Sequence, residues 1–190
     1  MVTLLVLAFL AAALIAYVVG IYNSLVRVGN EVKLAWSNID VLLVQRHDEL
    51  PKLVETCKQY LQYEQQTLER VMQARAAVAT ARSSGSVAAV GSAEVGLRSG
   101  LAGLYAVAEK YPDLKASEAF QHLQQRISGL EQALSDRREI YNEAVNINNV
   151  RIAAFPEVLI ASRYGFNEAT FLRFDAQEKV DVDLKSLFAH

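Results

Sequence analysis

The chain has 190 residues, with only 9 glycines and 3 prolines, and a net charge of −2. A near-neutral balance excludes the strongly basic face that a nucleic-acid partner requires, and the single cysteine, Cys57, excludes an intrachain disulfide. Leu, Ala, Val, Glu and Gln are plentiful, and such residues lose little on entering a helix, so an all-α fold is expected.

The stretch from Val2 to Tyr22 carries no charge. At about 1.5 Å per residue it reaches roughly 30 Å, the thickness of a bilayer's hydrocarbon core. A cleavable leader would show a basic start, a shorter apolar core and a small-x-small site. Neither basic start nor cleavage site is found, and the expectation is a permanent anchor over residues 1–22 in contact with membrane lipid. Tyr17 and Tyr22 fall near its end, where aromatic rings favour the headgroup zone. Arg27 and Lys33 follow closely, so the positive-inside rule puts the N-terminus outside and the bulk of the chain in the cytoplasm. Ala8, Ala12, Ala16, Gly20 and Ser24 recur every four residues. They form a strip of small side chains along which a second membrane helix can approach, as in a homo-oligomer.

Helical spacing then continues through Val32, Trp36, Ile39, Leu43, Leu50, Val54, Cys57, Leu61, Leu68 and Val71. Pro51 interrupts the pattern without a surrounding turn cluster, and the stripe keeps phase across it. A long kinked helix from the membrane to about Ala81 is expected, with a stop at Pro51 as the alternative. Ser83 to Gly100 is rich in Gly, Ser and Ala and reads as a flexible connection, with Ser92 offering a helix cap. Leu97, Leu101, Leu104, Ala108 and Tyr111 mark a second helix, broken at Tyr111-Pro112. A third helix carries a heptad-like seam of Phe120, Leu123, Ile127, Leu130, Leu134, Arg137, Tyr141, Val145, Asn148, Ile152 and Phe155. Pro156 ends or restarts it, and Gly165 is a plausible stop. Long stripes with short connections predict an antiparallel, four-helix type of bundle over residues 23–174, followed by a loosely held polar tail at 175–190.

Three stretches resemble the LemA family: Tyr22 to Arg75, Tyr111 to Val145, and Phe155 to Phe166. The specific motifs are Trp36-Ser37-x-Ile39-Asp40-Val41, Arg46-x-Asp48-x-x-Pro51 and Tyr141-Asn142. The chain departs from the family pattern at Gln45-Arg46, Tyr63-Glu64 and Asn148-Asn149. The resemblance implies a bacterial inner-membrane protein with one N-terminal span, a cytoplasmic helical bundle and no established catalytic residues. It also offers a pointer to membrane metalloproteases as partners.

The residues suggest little chemistry. His47, His122 and His190 form no HExxH or Glu-x-x-His pattern, and Glu118 with His122 supplies two ligands where a metal site needs more. Neither metal nor cofactor is expected. His47 reads as a hydrogen-bonded boundary histidine and Cys57 as a buried, inert thiol. Gly85 to Ser92 lacks the lysine and spacing of a phosphate loop. Arg137, Arg138, Tyr141, Asn142, Asn148 and Asn149 form an unusually polar seam, with Asp48 or Glu55 as candidate partners for Arg138. Polar seam residues fix register when paired, and a partner-contacting surface is the alternative. The function expected is a membrane-anchored, non-enzymatic interaction or scaffold protein; the alternatives are an accessory subunit of a membrane protease or, third, an enzyme with an undetected site.

Overall fold

A computed structural model describes residues 1–174; the polar tail expected at 175–190 lies outside the described residues. Six helices are found among them: α1 (Val2–Lys58), α2 (Gln65–Ser83), α3 (Val87–Ala108), α4 (Pro112–Ala116), α5 (Glu118–Ala153) and α6 (Glu157–Tyr164). The all-α class and the helical bundle hold. Two compact units are distinguished, and α1 and α5 contribute to both.

The first unit contains residues 1–39 and 136–170. Within it α1 and α5 run antiparallel: Trp36 packs on Tyr141 with ring centres 5.5 Å apart, and Ser24 accepts a hydrogen bond from Arg151 at 2.7 Å. Ile21 and Leu25 share an apolar cluster with Ile152, Ile160 and Ala161. Helix α6 starts just after Pro156 and stops at Gly165, which adopts φ +75°. Glycine takes that left-handed conformation without the Cβ clash other residues suffer.

The second unit contains residues 40–135 and 171–174 of the described chain. Its core gathers Leu43, Leu50, Leu53, Leu61, Val71, Val90, Leu97, Leu101, Leu104, Leu114, Ile127 and Leu134, all essentially sealed from solvent. The expected helix through to Ala81 is corrected here: α1 ends at Lys58, and the chain reverses over residues 59–64 before α2 begins. Nothing in the segment is glycine or proline. The turn is closed by backbone bonds, Leu61 N–H to Cys57 O at 2.8 Å and Glu64 N–H to Leu61 O at 3.2 Å, with Leu61 itself buried. Arg75 bonds the His47 carbonyl and Arg82 bonds Asp40, so partners lie 14 and 21 residues either side of Leu61. These separations are two and three heptads. The hydrophobic phase therefore survives the reversal, and the stripe looks continuous in sequence.

Pro51 does not stop α1. Proline has no N–H and so leaves the carbonyl four residues earlier without its helical donor. That carbonyl belongs to His47, and the Arg75 Nε–H of α2 donates to it at 2.9 Å. A side chain from the neighbouring helix thus repairs the ladder.

The flexible connection expected over Ser83 to Gly100 is also corrected. Only residues 84–86 form the turn; Ser86, not Ser92, caps α3 by accepting from Ala89 N–H at 3.2 Å. One of the small residues, Gly91, serves close packing. A Cβ on Gly91 would overlap the Arg173 carbonyl oxygen, and one on Gly100 would touch the Val71 backbone at 3.7 Å. On α5 the seam residues Phe120, Leu123, Ile127, Leu134, Tyr141, Val145, Asn148 and Ile152 are buried, whereas Arg137 is exposed, as is Phe155 beyond the end of the helix. Tyr111, expected to close the second helix, instead precedes α4, whose first residue is Pro112.

Replacing Arg75 with Met should cost about 1–3 kcal/mol, the range for leaving a buried polar group unpaired. In a Pro51→Ala background, residue 51 regains its N–H and the same change should cost less. A double-mutant cycle read by denaturant unfolding of the full chain in detergent checks this; additive costs would remove the link between Pro51 and Arg75.

Candidate functional site

The beginning of α1 is apolar and unburied. Val2 to Tyr17 are all exposed, and α1 is the one helix among the described residues long and apolar enough to cross a membrane. Of the small-residue strip, Ala8, Ala12, Ala16 and Gly20 are exposed, and a Cβ at Gly20 would meet nothing within 4 Å. Ser24, the last member, is half-buried and accepts from Arg151.

The polar seam of α5 divides. Tyr141 is buried and its hydroxyl donates to the Thr170 carbonyl at 2.9 Å. Burial also pushes its ionisation upward. Asn149 grips one residue of the chain twice: its Oδ1 accepts from Ala169 N–H at 2.8 Å and its amide donates to Ala169 O at 2.9 Å. The Asn148 amide donates to Asn149 Oδ1 at 3.1 Å and reaches Asn167 O at 3.4 Å. Tyr141 and, about two turns further along α5, Asn148 and Asn149 therefore bind the backbone of residues 167–170 through its peptide groups. This satisfies polar groups that an irregular segment would otherwise leave unpaired. A cleft of about 450 Å³ borders the segment, lined in part by Gly29, Lys33, Asn148 and Phe166. Asn142 and Arg138 are half-buried on the same helix. Asp48 and Glu55, the candidate partners for Arg138, are exposed, and the Glu55 carboxylate takes the Lys58 ammonium at 3.0 Å.

A second polar group lies in the core of the other unit and was not foreseen. Arg46 is 1% exposed and pairs with Glu94, which is fully buried. Its other terminal nitrogen lies 3.9 Å from Glu131. Arg46 thereby joins α1 to both α3 and α5. Arg98 and Tyr105 adjoin the group; the Arg46 Nε and Nη1, Arg98 Nε, Tyr105 hydroxyl and Glu131 Oε1 are buried without a hydrogen-bond partner. Desolvation raises the Glu131 carboxyl above its ordinary value, with Arg46 and Arg98 opposing the shift. Nearby, the buried Glu49 carboxylate takes Arg126 at 3.1 Å and Lys52 at 3.2 Å. A sequence signal existed: Arg46 falls in phase between Leu43 and Leu50, and Glu94 in phase with Leu97 and Leu101. Starting α3 at Ser92 had hidden Glu94 at the helix edge.

His47 is held below its ordinary value of 6.5 by desolvation and then by Arg75, with Asp48 opposing. Burial pushes the Cys57 thiol up to about 12, so little thiolate forms at neutral pH. Among the described residues no three His, Cys, Asp or Glu side chains converge as a metal site would need.

The model of the LemA family matches residues 35–185. This chain belongs to the LemA family. It is 26% identical to protein LemA of Metamycoplasma hominis over 173 residues, which is 89% of this chain and 76% of that protein. It is also 30% identical over 81 residues to magnetosome proteins MamQ 1 and MamQ 2 of Paramagnetospirillum magneticum, but spans only 30% of their length. The motifs that marked the LemA resemblance fall on structural joints. Trp36 meets Tyr141, Asp40 meets Arg82, Arg46 meets Glu94, and Pro51 frees the carbonyl that Arg75 binds.

Two outcomes follow from these contacts. Asn149→Ala should speed hydrogen exchange at the Ala169 amide, while the Phe166 amide, bonded to Ala161 O at 3.0 Å, keeps its protection. Glu94→Leu should cost about 3–5 kcal/mol by stranding the Arg46 charge, whereas Arg46→Met with Glu94→Leu should recover most of that loss, as measured by chemical unfolding.

Proposed function

We propose that this LemA family protein is a membrane-anchored, non-enzymatic interaction protein. In this reading α1 crosses a bacterial inner membrane once, with its N-terminus outside, and holds a helical bundle at the cytoplasmic face for partner proteins. The observation that carries the proposal is the unbroken course of α1. Its first sixteen helical residues are exposed and uncharged, yet the same helix goes on to bury Leu25, Ile39, Leu43 and Leu50. Such a segment is costly to leave in water and cannot be folded away without breaking the helix. Arg27 and Lys33, just past the span, support the orientation. The exposed strip from Ala8 to Gly20 supports self-association through close helix approach.

Full-length protein should stay with membranes through an alkaline wash, and deletion of the wholly exposed residues 2–17 should release a soluble, helical protein. Release of the intact chain by the wash would overturn the anchor. Crosslinking in native membranes should then recover copies of this chain together with a partner. Recovery of one membrane protease every time would shift the reading to an accessory subunit.

A further inference from the structure

The end of the apolar stretch has company. Helix α5 runs antiparallel to α1 in the first unit, with Trp36 beside Tyr141 and Ser24 beside Arg151. Twelve residues of α1 thus match ten of α5, and the end of α5 at Ala153 comes level with about Tyr22. The first charge of the chain is Arg27, so this level lies within the uncharged stretch. Counted from Val2, about 20 residues fill the hydrocarbon core and reach Ile21. The α5–α6 corner therefore stands where hydrocarbon gives way to headgroups, if α1 spans the bilayer as proposed.

Helix α6 has two distinct faces there. Ile160 and Ala161 are buried with Ile21 and Leu25, Glu157 is held by Arg151, and the Tyr164 ring meets Tyr22 at 5.1 Å. The other face carries Leu159 and, one turn on, Arg163, and Phe155 lies just ahead of the helix, before Pro156. Phe155 is 80% exposed and Leu159 61%. Arg163 is exposed, as is Arg27 on α1. The acidic groups at this end are Glu157, already paired, Glu31, which acts on Arg151, and Glu168, which lines the cleft beside Val26 and Gly165. Aromatic and aliphatic side chains beside exposed arginines suit the boundary of a bilayer, where rings sit at headgroup level and guanidinium groups reach phosphate.

We propose that the α5–α6 corner is a second lipid-contacting element, in which Phe155 and Leu159 enter the membrane interface beside the span while Arg163 and Arg27 meet lipid phosphates. The inference rests on the anchor reading and goes beyond it. A single span leaves the protein free to tilt at the membrane surface. A second contact beside it fixes how the first unit stands on the bilayer.

The test uses the full chain in vesicles of phosphatidylethanolamine and phosphatidylglycerol, with nitroxide labels on Leu10→Cys, Phe155→Cys, Leu159→Cys and Glu143→Cys in separate preparations. Native Cys57 is buried and stays unlabelled. Circular dichroism confirms that each variant keeps its helicity. Labels at 10, 155 and 159 should meet membrane-dissolved oxygen several-fold more than a water-soluble nickel chelate, and the label at 143 should show the reverse. Labels at 155 and 159 that behave like 143 while 10 reads as lipid overturn this proposal and leave the anchor standing. Labels at 155 and 159 shielded from both reagents put another protein there and overturn it as well. A label at 10 that meets the chelate overturns the anchor and this proposal together.

Discussion

Helix continuity is the constraint on which this molecule depends. Every residue from Val2 to Lys58 lies in one helix, so the segment that seeks lipid and the segment that builds the core share a single hydrogen-bonded rod. Apolar side chains leave water wherever they can. In the second half of α1 they do so against the protein's own helices, as Ile39, Leu43, Leu50 and Leu53 show. From Val2 to Tyr17 nothing in the described chain covers them.

That continuity is kept at two places where it might fail. Pro51 removes a donor from the helical ladder, and Arg75 of α2 replaces it at the His47 carbonyl. The repair comes from tertiary structure, since α2 must already lie alongside. Arg46 presents the opposite difficulty, a charge placed among leucines. Glu94 and Glu131 face it from α3 and α5, so the cost of burial is met only when three helices are assembled in register. Both arrangements discriminate against near-native packings, because a shifted helix would leave a buried carbonyl or a buried charge alone.

In the first unit the same logic works on the main chain. Residues 167–170 form no helix, and their peptide groups are taken up by Tyr141, Asn148 and Asn149. Amide side chains are suited to this because each offers a donor and an acceptor at once. The polar seam of α5 thus has an internal occupant. The membership in the LemA family and the apolar start of α1 fit a membrane-associated protein.

The amino-acid sequence by itself determined the helical class, the uncharged stretch at the start of α1, a break ahead of Pro112, the stop at Gly165 and the family. Each of these is written locally, in composition, in a 3.6-residue period or in a residue with few allowed conformations. Only the tertiary structure decided where α1 turns back, that Ser83 to Gly100 is mostly helix, and which polar residues meet. A reversal centred on Leu61 with partners at heptad distances leaves the apolar period intact, so the period cannot reveal it. A glycine such as Gly91 lowers helix propensity when read alone, yet it permits an approach to the Arg173 carbonyl that a Cβ would block. Arg46 and Glu94 lie 48 residues apart, and their pairing exists only once packing brings their helices together.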